Sequence, residues 1–354
     1  MREIQNKKII EEYNVLRVIL TILVVVGHSI GIRSVTAFGG CDYTGSFSDG
    51  TFILKIFSLL HSIIYSFHMP CFFALSGALF YKAVVAERYK TLKQLVKEKI
   101  LRLLLPYIII SVFWVFPWKM ISGYYISSDN VWLDFFVGQL LLQGNSHLWF
   151  LATLFFIFIV IYFMRFAKKK YVLSVLFFAY IFSFLCPINI VMFVLKYSFW
   201  FYLGYVLETY RNRFNSKICL KLFLGIIFLF MASYFCGRFF AFTGFFVFIK
   251  SVIEFITALS GIASVYIFSV YMAKTCLTKK KCFQSINKYS FGIYLYSDTL
   301  NYPILCVMFY LCGNIIFTSA VGYLLLFFIR VIVSMVISIM VTKGLRYLKI
   351  KYIC

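Results

Sequence analysis

Ten apolar runs, each bounded by charged or turn-forming residues, constrain the fold of this chain more than any other feature. Nearly all have the length that a helix needs to cross a bilayer, about 17 to 25 residues. They predict an all-α membrane protein, a polytopic bundle of about ten transmembrane helices. A further run, Val131–Leu142, is too short to span and predicts an interfacial or re-entrant helix. The ten runs are Val15–Ile32, Ser58–Tyr81, Ile100–Ile121, Leu148–Phe166, Tyr171–Cys186, Ile188–Glu208, Ile218–Phe235, Phe246–Met272, Tyr289–Leu311 and Ile316–Val341.

The composition supports this class. Hydrophobic residues make up 63% of the chain and charged residues only 13%, whereas about a quarter of the residues of a soluble domain are charged. These values exclude a soluble enzyme, a disordered chain and a secreted disulfide scaffold. The ten cysteines form no C-x-x-C motif and lie mostly in or beside the apolar runs, which is typical of packing residues.

The basic residues predict the orientation of the bundle. If the N-terminus is cytoplasmic and the spans alternate, 28 of the 35 Lys and Arg residues fall in cytoplasmic segments, as the positive-inside rule requires. Both termini are then cytoplasmic. Most of the basic residues behind the net charge of +23 are thus explained by the orientation of the bundle in the membrane, so no nucleic-acid partner is expected. We expect residues 1–354 to form one integral-membrane domain without an appended soluble domain.

The first span carries two basic residues on one face. Arg17 and His28 are eleven residues apart, which amounts to about three turns and about 16 Å of helix rise. Arg17 then lies at the cytoplasmic end and His28 beyond the midplane, which is a plausible reaction path. The structural alternative is a boundary arginine and a hydrogen-bonded packing histidine. Ionisable residues within spans are costly, which favours function.

The second span places three more polar rings on one helix face. His61, Tyr65 and His68 have the spacing i, i+4 and i+7. Pro70 follows and loosens the backbone, while Gly77 allows close helix contact. A proline-broken helix of this kind commonly lines a cavity. The alternative is a kinked packing helix.

Five further charged residues within predicted spans are candidates for ion pairing or for the site. Lys250 and Glu254 are four residues apart and can pair. Asp298 has no partner close in sequence, and pairing with Lys196 or Arg330 would make it structural rather than part of a site.

Five segments in order along the chain resemble the acyltransferase-3 family of integral-membrane acyltransferases. They accompany the Arg17-to-His28 spacing and cover almost the whole chain. The segments are "FHMPCFFALSG" in the second span, "KEKILRLLLPY" at the third, "HLWFLATLF" from His147 at the fourth, "FWFYLGYVLE" in the sixth and "YSFGIYLYSD" from Tyr289 to Asp298 in the ninth.

The resemblance implies roles for particular residues. Arg17 and His28 match the family's arginine–histidine motif, in which the histidine is the acyl-transfer residue. His68 matches the histidine of the "FHMP" motif and is a second catalytic candidate. Lys99 and Arg102 match a basic pair linked to the acyl donor. The chain departs from the family at Ser297, where the family often has histidine. The candidates for lining the site are His61, Tyr65, Trp149, Glu254, Tyr294 and Asp298.

The resemblance also implies a reaction. We expect an O-acyltransferase, with acetyl-CoA as its acyl donor, that acylates a hydroxyl of a cell-surface polysaccharide or lipid-linked sugar. The location is then a bacterial cytoplasmic membrane. Acyl-CoA is a co-substrate, and no bound cofactor or metal is expected. The phosphates of the donor suit Arg17, Lys99 and Arg102. His28 acts either as general base or as covalent acyl carrier.

Two other hypotheses remain open at this stage. A polytopic transporter or flippase without covalent chemistry explains the spans and the embedded charges, although no inverted repeat is evident. A catalytically inactive family member gains weight from Ser297. The oligomeric state is not encoded in these motifs.

Overall fold

A computed structural model describes residues 11–43, 52–144, 146–240, 247–313 and 315–350 of the chain. The described residues are almost entirely helical, and the only sheet among them is a two-stranded antiparallel hairpin, β1 (Arg33–Thr36) and β2 (Gly39–Asp42). The helices are α1 (Glu11–Ile30), α2 (Phe52–Val85), α3 (Leu92–Lys99), α4 (Leu105–Ile110), α5 (Phe116–Ile121), α6 (Val131–Phe135), α7 (Trp149–Met164), α8 (Lys169–Phe182), α9 (Asn189–Asn215), α10 (Leu220–Phe239), α11 (Val247–Ala273), α12 (Lys281–Cys312), α13 (Ile315–Thr318) and α14 (Ala320–Tyr347).

Every predicted apolar run contains a helix, and seven helices within the described ranges are long and apolar enough to cross a membrane. The seven are α1, α2, the continuous segment Leu92–Ile121, α9, α10, the part Ile249–Ala273 of α11, and α14. The helices of the other three runs differ for two reasons. With 16 and 14 residues, α7 and α8 are short, whereas α12 has 32 residues but carries several buried polar side chains.

The segment Leu92–Ile121 contains two π-helical turns. They occupy Ile100–Leu104 and Ser111–Val115. A proline follows each turn within two residues, at Pro106 and Pro117. Because proline removes one N–H donor and crowds the preceding turn, a wider turn before it keeps the helix continuous.

Two glycines bring α2 and α9 into backbone contact. A Cβ atom on Gly77 would lie 1.8 Å from the carbonyl oxygen of Phe201, and one on Gly204 would lie 1.9 Å from that of Ala74. Any side chain at either position would force the helices apart. The predicted close contact at Gly77 is therefore confirmed. Of the two alternatives for Pro70, the helix is not broken there, because α2 continues through it as one helix.

Polar contacts tie α1, α9 and α11 together at one end of the bundle. Arg211 donates to Glu12 over 2.7 Å, and Asn215 also donates to Glu12, over 3.2 Å. Tyr13 donates to Glu208, and Tyr266 donates to Asn215. The first turn of α1 and the last turns of α9 and α11 therefore share this end. His28 lies at the opposite end of α1.

Candidate active site

The C-terminal end of α1 borders a cavity of about 310 Å³. The other walls come from the β-hairpin, from the helices α2, α12 and α14, and from the residues just before α7. The lining is unusually polar for a site within a helical membrane bundle, where charged groups are costly. It includes His28, Arg33, His61, Tyr65, His147, Trp149, Asp298, Asn301, Tyr302 and Arg330.

Two histidines share one carboxylate in this cavity. The Nδ1 atom of His28 lies 2.9 Å from Oδ1 of Asp298, and the Nδ1 atom of His147 lies 3.1 Å from Oδ2. The helices place these groups together: His28 belongs to the last turn of α1, His147 precedes α7 by two residues, and Asp298 lies midway along α12. Asp298 is thus partnered by histidines rather than by Lys196 or Arg330, the partners considered from the sequence.

The contact with Asp298 determines which nitrogen of His28 can react. An ionised carboxylate only accepts hydrogen bonds, so Nδ1 carries the hydrogen and donates it to Asp298. In the neutral ring Nε2 is then an acceptor. Within the described residues Nε2 has no hydrogen-bond partner. This arrangement leaves one basic nitrogen available for a ligand in the cavity.

His147 is held on both sides. Its Nδ1 faces Asp298, and its Nε2 lies 3.1 Å from the carbonyl oxygen of Leu295. Both partners are acceptors, so each ring nitrogen of His147 is held by a contact with a fixed oxygen atom. Tyr294 donates to the backbone carbonyl of His147 over 2.7 Å. His147 is therefore a fixed group that orients Asp298. Tyr294, which does not line the cavity, helps to hold the backbone of His147 in place.

Arg330 anchors the end of α1 beside this pair. It is 2% exposed and donates to the carbonyl oxygens of His28, over 3.0 Å, and Gly31, over 2.7 Å. Its Nε donates to Asn301 over 2.9 Å. The last carbonyls of a helix have no partner within the helix and carry partial negative charge. Arg330 satisfies them and so fixes the backbone that carries His28.

The three rings predicted to share a face of α2 do so. His61 stacks on Tyr65 with ring centroids 4.0 Å apart, and Tyr65 meets His68 edge-on at 4.7 Å. The Tyr65 hydroxyl lies 3.4 Å from Nδ1 of His28. His61 and Tyr65 line the cavity, whereas His68 is buried behind Tyr65 and its Nδ1 contacts the carbonyl of Ile64 at 2.9 Å.

The three residues predicted to bind the donor lie away from the cavity. Lys99 places its ammonium 3.6 Å from the centroid of the Phe158 ring. Arg102 pairs with Glu98 over 3.3 Å. In the part of the chain that the structure describes, the guanidinium of Arg17 has no ion pair or hydrogen bond. None of the three lines the cavity that contains His28.

Two further predicted positions have distinct surroundings. Glu254 lines a second, larger cavity of about 600 Å³, and among the described residues no ion pair joins it to Lys250. The pairing that their spacing allows is therefore not formed, and both side chains are exposed at that cavity instead. Ser297 is buried, and its hydroxyl has no hydrogen-bond partner in the described residues. Its neighbour Asp298 carries the polar contacts.

His147 and Arg330 were not among the residues proposed for the site from the sequence. One signal for His147 was available: the chain contains only four histidines, and such a small number in an apolar chain suggests a shared role. Three of them line this cavity, and the fourth packs on Tyr65.

Comparison with known proteins gives one result. The acyltransferase-3 family model, described as an acyltransferase domain, matches residues 10–342. The match covers nearly the whole chain and every candidate residue named above. A search of curated proteins and a search of solved structures gave no significant match.

Proposed function

The chain belongs to the acyltransferase-3 family and is an acyltransferase of a multi-pass membrane type, and from this premise we propose its reaction. It moves an acyl group, which we take to be acetyl, from cytoplasmic acetyl-CoA to a hydroxyl of a cell-surface polysaccharide or lipid-linked sugar. Residues 1–354 act as one integral-membrane domain in the bacterial cytoplasmic membrane.

The proposed topology has ten spans with both termini in the cytoplasm. Two observations support it. The contacts of Glu12 and Tyr13 with the last turn of α9 agree with strict alternation between the first and sixth spans. The distribution of Lys and Arg then selects the cytoplasmic face. In this orientation His28 lies in the outer half of the membrane.

The observation that carries the proposed reaction is the His28–Asp298 contact at a polar cavity. Nε2 of His28 accepts the proton of the acceptor hydroxyl as its oxygen attacks the thioester carbonyl carbon. The C–S bond then breaks, and the imidazolium returns the proton to the CoA thiolate. Asp298 holds the reactive tautomer and stabilises the imidazolium that forms, and His147 holds Asp298 in place.

The covalent alternative uses the same nitrogen. Nε2 attacks the thioester carbonyl carbon, the C–S bond breaks, CoA leaves as the thiolate, and the acyl group stays on the imidazolium, whose Nδ1 hydrogen is donated to Asp298. The sugar hydroxyl then attacks the acyl carbon, the bond to Nε2 breaks, and the hydroxyl proton neutralises the thiolate through water. Single-turnover labelling without acceptor distinguishes the two routes. Label retained on the protein and lost after His28→Ala supports the covalent route.

Arg17, Lys99 and Arg102 are the proposed contacts for the donor phosphates. Charge-assisted hydrogen bonds to phosphate are among the stronger polar contacts in proteins. Arg17 is the best placed for this role, since its guanidinium has no ion pair among the described residues. Arg102 already shares Glu98 with Arg88.

Arg17→Ala is expected to raise KM for acetyl-CoA about tenfold, with a change in kcat of only a few-fold, because it removes a contact to the donor far from the reacting carbon. Steady-state kinetics of the reconstituted protein measure this. The control is Arg213→Ala, which removes an exposed arginine near the same end of the bundle and should leave both constants unchanged. An unchanged KM in Arg17→Ala would rule out the donor role.

Reconstituted protein supplied with acetyl-labelled acetyl-CoA and cell-surface glycan tests the function itself. We expect label on the glycan and release of free CoA in equal amounts. Translocation of glycan without consumption of acetyl-CoA would instead identify a transporter or flippase. Absence of both activities would identify an inactive family member, which the intact His28–Asp298–His147 arrangement argues against.

A further inference from the structure

The second cavity adjoins the first. It lies between α2, α8, α9, α10 and α11, and His61 and Tyr65 line both cavities. Its volume of about 600 Å³ lies within the range of small-molecule sites, about 300 to 1,000 Å³. Of the described lining residues, the stacked His61 and Tyr65 are the ones that the two walls share. A ligand in the second cavity is therefore separated from His28 by these two side chains.

Three cations from three helices line this cavity. Lys196 lies on α9, Arg238 on α10 and Lys250 on α11, and among the described lining residues Glu254 is the one carboxylate beside them. Within the described ranges none of these four groups forms an ion pair. Arg238, Lys250 and Glu254 are exposed at the cavity, and the half-buried Lys196 ammonium has two aromatic rings near it. The cavity thus has an excess of two positive charges.

The orientation of the bundle does not explain these cations. In the proposed topology seven basic residues do not fall in cytoplasmic segments. Five of the seven line one of the two cavities: Arg33 and Arg330 the first, and Lys196, Arg238 and Lys250 the second. Cations retained on the outer side against the positive-inside bias indicate a function that needs positive charge there.

Neutral groups in the same wall suit a sugar. Tyr234 is only 7% exposed, and its buried hydroxyl has no hydrogen-bond partner among the described residues. Buried polar groups are nearly always partnered, so an orphaned hydroxyl in a cavity wall points to a ligand. Thr257 donates to Ser233 over 3.0 Å in the same wall. Tyr197 and Trp200 add aromatic surface.

From these observations we infer that the second cavity binds an anionic sugar of the acceptor, one that carries a carboxylate or a phosphate. The inference rests on the proposed function, and it adds the charge of the substrate and its place of binding. Lys196, Arg238 and Lys250 bind the anion, and Tyr234 binds a sugar hydroxyl. A second hydroxyl of the same glycan reaches His28 past His61 and Tyr65.

Binding without donor tests this inference. The protein is placed in phosphatidylcholine nanodiscs, and calorimetry compares glucuronate, glucose 1-phosphate and glucose. We expect at least one anionic probe to bind about tenfold or more tightly than glucose. Replacing Lys196, Arg238 and Lys250 together by glutamine should remove that advantage. Lys55→Gln is the matched control, because Lys55 is an exposed outer lysine that lines neither cavity.

A second variant protects the test from a folding defect. Glu254→Gln removes the only carboxylate that the described residues place in the cavity wall. The variant should raise the affinity for the anionic probe several-fold, a gain that a misfolded protein does not show. Equal binding of glucose and both anions, or an unchanged affinity in the triple variant, would overturn the inference. So would a loss of affinity in Glu254→Gln.

Further arms identify the source of the anion. Preference for glucuronate indicates a uronic acid in the glycan, and preference for glucose 1-phosphate indicates a phosphorylated or lipid-linked sugar. Citronellyl phosphate, an isoprenyl phosphate without sugar, should bind more weakly than the better sugar; equal binding would contradict recognition of the sugar. Protein that binds the probe but transfers no acetyl overturns only the proposed reaction. If acetyl is transferred equally well to charged and uncharged acceptor glycans, only this inference is overturned.

Discussion

Replacing His28 with alanine is expected to lower kcat for acyl transfer about 1,000-fold or more. The reason holds for both routes, since Nε2 is the proton acceptor in one and the nucleophile in the other. The measurement is the rate of label transfer from acetyl-CoA to glycan by purified protein in a bilayer. His28→Gln should be equally inactive, because glutamine keeps a donor for Asp298 but has no basic nitrogen.

The control for truncation on the same helix is Val26→Ala, which shortens an apolar side chain of α1 outside the cavity lining. Its kcat should stay within a few-fold of the wild type. Both His28 variants should insert, and their thermal stability should be close to that of Val26→Ala. Wild-type turnover in purified His28→Ala would remove this residue from the mechanism.

The parts of this site that were predictable from the sequence depend on local geometry. The helical repeat places Arg17 and His28 on one face of α1, and it places His61, Tyr65 and His68 on one face of α2; the ring contacts on α2 confirm the second placement. The apolar runs likewise locate the helices, because about twenty consecutive apolar residues have few other stable forms. These features need no knowledge of how helices pack.

The partners of Asp298 depend on packing and were not predictable in this way. Charge alone suggested Lys196 or Arg330 as partners. In the fold Arg330 is occupied by the carbonyls at the end of α1, and Lys196 lines the other cavity. The nearby bases are two histidines, each brought in from a different helix or connection. The Lys250–Glu254 spacing allowed an ion pair that the fold does not form. An i,i+4 pair stabilises a helix by only about 0.2 to 0.5 kcal/mol, so the other interactions of the two side chains can outweigh it.

Asp298→Asn is expected to lower kcat about 1,000-fold while the affinity for acetyl-CoA changes little. The two carboxylate oxygens each accept from a histidine. Asparagine replaces one of these acceptors with an NH₂ donor, which faces an N–H group of His28 or His147. If the NH₂ group faces His28, the ring adopts the other tautomer, with its hydrogen on Nε2. Nε2 can then neither accept a proton nor attack the thioester. If the NH₂ group faces His147 instead, the imidazolium that forms on His28 still loses its counter-ion, because asparagine is uncharged.

The split between catalysis and binding makes this variant informative. A merely structural role for Asp298 predicts reduced stability and weaker binding of acetyl-CoA together with the loss of turnover, whereas the proposed role predicts loss of kcat alone. Asp134→Asn is the matched control, because Asp134 lies on α6 outside both cavities and should show neither effect. Near-wild-type kcat in Asp298→Asn would mean that His28 reacts without its carboxylate, and the reaction would then have to be assigned to another group in the cavity.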